Sequence, residues 1–144
     1  MRAKTRGRVT TPATLQNLED FLAVERGTLA PDKVRTVDVL DALVDTGAMM
    51  LAAPPKVIAQ LGLLPARTRT MRTANGVVTA QIYHAVRLTV MGRDCTCDVM
   101  EVPDGCPVLI GQVPLELLDW VVDPVNQRLI GNPEHGGQHM VDMF

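Results

Sequence analysis

The sequence predicts a mainly β fold in one domain, a small closed barrel or sandwich carrying two or three short helices. Three observations predict it. About eight short strand-like runs follow one another with turn signals between them, the spacing of small β architectures. Residues 67–90 read as two strand-like arms around Ala74-Asn75-Gly76, and Asn-Gly between such arms is the strongest short-range hairpin signal. Hydrophobic residues make up 47% of the 144-residue chain but aromatics only 3%, so the core must be built from Val, Leu, Ile, Ala and Met. A chain of that length is enough for one domain to bury a core.

The elements follow in order. Residues 1–10 carry Arg2, Lys4, Arg6 and Arg8, a solvated terminus or, functionally, a phosphate-binding arm. Residues 14–27 predict a short helix, because Leu15, Leu18, Phe21 and Leu22 recur at spacings of three and four. Thr14 or Asn17 would cap it, and Gly27 would stop it. Residues 34–39 alternate as a strand, and residues 41–44 run on into Asp45-Thr46-Gly47. Residues from 51 read as loop and then helix, opened by Pro54-Pro55, with Val57, Ile58 and Leu61 on one face and Gly62 as the stop. Arg67, Arg69 and Arg72 on the first hairpin arm are too many charges for a central strand, so the hairpin projects into solvent. Met91-Gly92-Arg93-Asp94 is a turn, residues 95–102 a strand, and Pro103-Asp104-Gly105 a turn. Leu109-Ile110-Gly111 closes a short buried strand. A helical turn or two over residues 113–118 precedes a hairpin around Pro124-Val125-Asn126 and a polar, Gly-rich tail. The chain divides into residues 1–33 (a basic segment and a helix packed on the domain), 34–131 (the domain) and 132–144 (the tail).

Composition excludes several function classes. A net charge of −2 gives no strong pull toward polyanions, and there are few aromatics to stack on bases, so no nucleic-acid partner is expected. No apolar run reaches about 18 residues, so no membrane association is expected. The basic N-terminus lacks the apolar segment of a secretory signal, and three cysteines without an export signal read as reduced thiols, pointing to the cytoplasm. Cys95-x-Cys97 with Cys106, and His135 with His139, are possible metal ligands. Cys-x-Cys is not the usual structural-zinc pair, however, and the histidines lie in a Gly-rich stretch, so no metal and no cofactor is expected. His84 reads as a packed or surface residue. No Ser/His/Asp or Cys/His order matches a nucleophile motif.

The chemistry centres on Ala42-Leu43-Val44-Asp45-Thr46-Gly47-Ala48. A carboxylate at the end of an apolar strand is costly to desolvate. Gly47 lets another backbone approach, and the Thr46 hydroxyl can enter a local hydrogen-bond network. The structural alternative is a capped turn, in which the Asp45 side chain bonds nearby amides. Three further features stand in fixed order: the hairpin tip Ala74-Asn75-Gly76, the strand end Leu109-Ile110-Gly111, and a short helix directly after it. This order, over roughly residues 34–131, resembles the retropepsin-like (retroviral-type) aspartic proteases, and residues 119–130 resemble the C-terminal hairpin of the cellular and bacterial branch.

The resemblance implies an acid-protease barrel with one lobe per chain. It implies that Asp45 is the catalytic carboxylate and that Thr46 bonds across to a partner subunit. It further implies that Gly47 lines the cleft beside substrate, that Ala74, Asn75 and Gly76 form the flap tip, and that Leu109, Ile110 and Gly111 support the catalytic loop. Peptide hydrolysis by carboxylates needs two of them, one to take a proton from water and one to polarise the scissile carbonyl. The sequence holds one Asp-Thr-Gly. The expectation is therefore an aspartic endopeptidase acting as a homodimer on a peptide or protein substrate, each subunit supplying one Asp45. The alternative is a non-catalytic relative that keeps the dimeric barrel and binds peptide or protein. Ala48 cannot donate a hydrogen bond to the carboxylates, so an activity optimum at mildly acidic or neutral pH is expected. Met49 and Met50 stand where the viral enzymes carry acidic residues, which suggests an apolar subsite.

Overall fold

The computed structural model of the chain describes residues 8–143. Arg2, Lys4 and Arg6 lie outside the described residues; Arg8 is exposed. In chain order the elements are β1 (Val9–Asn17), α1 (Leu18–Glu25), a 3-10 turn (Pro31–Lys33), β2 (Thr36–Val44), β3 (Leu51–Ala53) and α2 (Pro55–Leu61). Then come β4 (Leu64–Thr73), β5 (Gly76–Val90), β6 (Arg93–Glu101), β7 (Leu109–Ile110), α3 (Gln112–Leu118), β8 (Trp120–Asp123), β9 (Arg128–Gly131) and a 3-10 turn (Pro133–His135).

The sheet runs β1-β2-β7-β3-β6-β5-β4, and β1 also pairs with β5. That extra pairing, from Thr14 opposite Thr89 to Asn17 opposite Val86, closes six strands into a barrel and leaves β4 outside the ring as an edge. Closure removes the exposed edges that would otherwise invite pairing with other chains. Leu15, Leu51, Leu61, Leu88, Val99, Ile110 and Leu118 fill the interior. The strands alternate accordingly: Val9, Ala13 and Leu15 of β1 and Val86, Leu88 and Val90 of β5 point inward. The hairpin β8–β9 forms a separate two-stranded sheet.

Three expectations change. Residues 14–17 belong to β1, and the helix begins only at Leu18. Leu15 keeps a period of two with Ala13 and Asn17, and β1 finds hydrogen-bonding partners on both sides, which no isolated helix turn could offset. The barrel therefore starts at Val9, well before residue 34. Asn17 makes the switch: its Oδ1 accepts from the Asp20 N–H at 3.0 Å, and its Nδ2 donates to the Leu61 carbonyl at 2.8 Å.

The β4–β5 turn also differs. Its central residues are Ala74 and Asn75, since Thr73 pairs with Gly76. Asn75 does not adopt positive φ, whereas Gly76 takes φ +116° as the residue closing the turn. The turn with positive φ at both centres is Met91-Gly92 (φ 47° and 83°), between Val90 and Arg93. Finally, residues 51–53, read as loop, form a fully buried strand held parallel to β6 and antiparallel to β7.

Candidate active site

Asp45 leaves the end of β2 and is half-buried. Its N–H donates to the Ile110 carbonyl at 3.0 Å, and its own carbonyl accepts from the Ala48 N–H at 3.0 Å. Its side-chain Oδ1 accepts the Gly47 N–H at 3.0 Å. The two-residue strand β7 lies between the strands entering and leaving this loop. Val44 is registered with Ile110 in parallel, and Leu51 with Ile110 in antiparallel. One residue thus stitches both ends of the loop.

The loop and α3 satisfy each other. The first N–H groups of a helix have no partner within it. Here the Gln112 N–H donates to the Ala48 carbonyl at 2.8 Å and the Val113 N–H to the Met49 carbonyl at 3.0 Å, while the Gly111 N–H reaches the Met50 carbonyl at 3.1 Å. Gly111 is required by space. A Cβ built there would lie 2.5 Å from the Met50 carbonyl oxygen, 2.7 Å from that of Ala48 and 2.7 Å from the Met49 carbonyl carbon.

Leu109, Ile110 and Gly111 are therefore brought directly behind Asp45, Thr46, Gly47 and Ala48. Thr46 and Gly47 are exposed, and among the described residues the Thr46 hydroxyl has no hydrogen-bond partner. Met49 stands 69% exposed beside the loop. Ala74, Asn75 and Gly76 sit at the exposed tip of the β4–β5 hairpin. Hydrogen bonds hold that tip within itself, from Thr73 Oγ1 to the Gly76 carbonyl (2.9 Å) and from the Asn75 N–H to Thr73 Oγ1 (3.2 Å). Among the described residues, no hydrogen bond joins the tip to the Asp45 loop.

The register defines a second apolar strip that sequence reasoning missed, buried at Ala52 and Ile82 and open toward the hairpin. Residues directly opposite on neighbouring strands share a face. Leu43 lies opposite Leu109, Leu109 opposite Ala52, Ala52 opposite Met100 and Met100 opposite Ile82. Along β5 the same face continues through Ala80 and Val78, which oppose Arg69 and Met71 on β4. This apolar strip interleaves with the core residues Val44, Ile110, Leu51 and Val99, so it forms the sheet's other face, running from the strand that delivers Asp45 to the projecting hairpin. Where the hairpin meets the β6–β7 connection it opens into a cleft of about 490 Å³ lined by Met71, Val78, Ala80, Met100, Val102 and Pro103 among others. Alternation in β2 could have flagged Leu43; the cross-strand register that links the rest is not written in any one segment.

A second cluster ties down the C-terminal stretch. Asp119, in a left-handed conformation (φ 58°) after α3 and 5% exposed, accepts from the Met140 N–H (3.1 Å) and Asn132 Nδ2 (3.2 Å), and lies 2.6 Å from His135 Nδ1. Burial alone would raise the Asp119 carboxyl, but the His135, Met140 and Asn132 hydrogen bonds hold it below the usual carboxylate value. His135 is raised by its hydrogen bonds to Asp119 and Asp142. Arg93 donates to the carbonyls of Leu118 (3.2 Å), Asp119 (2.7 Å) and Gly137 (2.7 Å), with its guanidinium 3.9 Å from the Trp120 ring centre. The stretch read as a polar, Gly-rich tail is thus docked on the barrel. Cys95, Cys97 and Cys106 are free thiols. Among the described residues no three His, Cys, Asp or Glu side chains gather closely enough to hold a metal ion.

A closed small barrel whose Asp-Thr-Gly loop is backed by a hydrophobic-hydrophobic-Gly strand and a helix is the single-lobe architecture of aspartic proteases. The chain matches the aspartyl protease family model over residues 32–113, more than half its length, and it belongs to that family. Among solved structures it is similar to the solution structure of Simian Foamy Virus (mac) protease, at 18% identity over 76% of this chain and 93% of that one, with a TM-score of 0.48. No curated protein matches it in sequence.

Proposed function

We propose that the protein is an aspartic endopeptidase and that Asp45 is its catalytic carboxylate. The carrying observation is the loop itself: Asp45 is fixed at its N–H by β7 and at its carboxylate by the Gly47 N–H, while Thr46 and Gly47 stay on the surface. One chain contributes one such carboxylate, and the reaction needs two. The active species in this reading is a homodimer with the two loops facing across a two-fold axis. The exposed Thr46 hydroxyl, unpartnered among the described residues, and the β8–β9 hairpin, a sheet of only two strands, both suit a second copy. At the axis one Asp45 is ionised and takes a proton from the attacking water, while the other, protonated, polarises the peptide carbonyl.

In this reading the β4–β5 hairpin closes over the substrate, and the cleft lined by Met71, Val78, Ala80 and Met100 receives substrate side chains. Ala48 leaves the pair without an extra hydrogen-bond donor, which places the optimum at mildly acidic to neutral pH. The three unpaired thiols suit a reducing compartment such as the cytoplasm. Asp45→Asn tests the reading. Cleavage of a peptide library should disappear while far-UV circular dichroism and sedimentation mass stay those of the wild type. Retained cleavage, or an active species with the mass of a single chain, would overturn it. Peptide binding by a wild type that never cleaves would instead favour the non-catalytic alternative.

A further inference from the structure

We infer that Arg69 is a specificity-determining residue that selects an acidic side chain in the substrate, a step that rests on the proposed peptidase reading. The first observation is charge segregation. In a chain of net charge −2, strands β4 and β5 hold Arg67, Arg69, Arg72 and Arg87 and no acidic residue at all. The second is which of these cations is satisfied. Arg67 meets Asp98 at 3.3 Å and Arg87 meets Asp94 at 3.2 Å. Among the described residues, Arg69 and Arg72 enter no ion pair.

Register then separates these two. Arg69 is opposite Ala80, two pairs along from Met71 and Val78 with Thr70 and Thr79 between, so it shares a face with those cleft-lining residues. Arg72 is opposite Val77 and lies on the reverse face. Arg69 is therefore a cation with no ion-pair partner among the described residues, registered opposite Ala80 of a cleft whose lining is mainly apolar but also holds Glu101, Gln81, Thr73 and Thr79. Its strand is also the sheet's open edge, where an extended peptide can add backbone hydrogen bonds. A guanidinium there matches a carboxylate bidentately. The substrate class that fits is an extended peptide with aliphatic side chains for the groove and a Glu or Asp displaced along the same face.

Arginine on an edge strand also guards against edge-to-edge association. That role makes no distinction between an acidic peptide and its amide counterpart, so the two readings separate by experiment. Two pooled peptide libraries, identical except for Glu in one and Gln in the other, are cleaved by wild type, Arg69→Gln and Arg72→Gln. The wild type should favour the Glu pool by about tenfold in kcat/KM, the scale of one charged hydrogen bond away from bulk water. The preference should weaken with salt, vanish in Arg69→Gln and persist in Arg72→Gln, with the Gln pool cleaved equally by all three. Equal ratios in wild type and Arg69→Gln, or equal losses in both variants, would overturn the assignment. If no pool is cleaved, the peptidase reading fails. The same pools bound to the Asp45→Asn protein and to Asp45→Asn/Arg69→Gln then decide on Arg69: a Glu preference abolished by the second substitution upholds it, and the absence of any preference sinks it.

Discussion

Replacing Gly111 by alanine should damage the site without touching any side chain in it. The backbone at Gly111 (φ −87°, ψ −174°) is extended and open to any residue, so conformational strain contributes nothing. The cost is steric. The new methyl would stand 2.5–2.7 Å from the Met50, Ala48 and Met49 backbone, against about 3.5 Å for a comfortable contact, so the loop must retreat by about 1 Å. Overpacking of this kind costs about 1–3 kcal/mol. The retreat also stretches the Gly111 N–H bond to Met50 and the Gln112 N–H bond to Ala48, each contributing about 1 kcal/mol. The sum, about 3–5 kcal/mol, is a large share of the about 5–15 kcal/mol that holds a domain together. In urea unfolding the midpoint should fall with an unchanged slope. Displacing a catalytic group by about 1 Å also costs about a hundredfold in rate, so kcat/KM should collapse even at temperatures where the variant is folded. A Gly111→Ala protein with wild-type midpoint and activity would refute the claim that the loop rests on this contact.

The remaining expectations concern other parts of the molecule. Arg93→Ala removes three carbonyl hydrogen bonds and the contact with Trp120, and should lower stability by about 2–4 kcal/mol in urea titrations; an unchanged midpoint would show that the C-terminal stretch docks without it. His135 has a raised folded-state pKa, so its contribution is complete below the ordinary histidine value and is lost as pH climbs through the raised one. Asp119 has a lowered one, so its contribution is complete above the ordinary carboxylate value and is lost as pH falls through the lowered one. The clasp is therefore at full strength from about pH 4 to about pH 6.5. Thermal midpoints of the wild type should drop on the alkaline side of that window and those of His135→Ala should not; the same drop in both would assign it elsewhere. Asn17→Ala loses the cap of α1 and the bond to the Leu61 carbonyl, and should cost about 1–3 kcal/mol, read by the same titration.

Much of the site was legible because its parts are local. Asp45-Thr46-Gly47-Ala48 ends an apolar run, and Leu109-Ile110-Gly111 is a short apolar run closed by glycine; each is read within a few residues. The error at residues 14–17 has the opposite origin. Leu15 satisfies both the helical spacing to Leu18 and the strand alternation to Ala13, and local pattern cannot choose. The choice falls to β2 and β5, which are distant in sequence and supply the backbone partners. The hairpin at Asn75-Gly76 was correctly placed, but its turn uses Gly76 one position later than the Asn-Gly signal implies, because Thr73 and Gly76 are the residues that pair.

The apolar strip from Leu43 to Met71, the face on which Arg69 lies, and the clasp of Arg93, Asp119 and His135 belong to the tertiary structure alone. Each joins residues dozens of positions apart through strand register or through a turn of chain laid over a helix end. What the sequence by itself determined is the Asp45 loop, the strand behind it and the lone copy of the Asp-Thr-Gly motif, because those depend on residue type and immediate neighbours. Which side chains share a face with that carboxylate was decided only when the barrel closed, because a one-residue change in register would turn every one of them to the other side of the sheet.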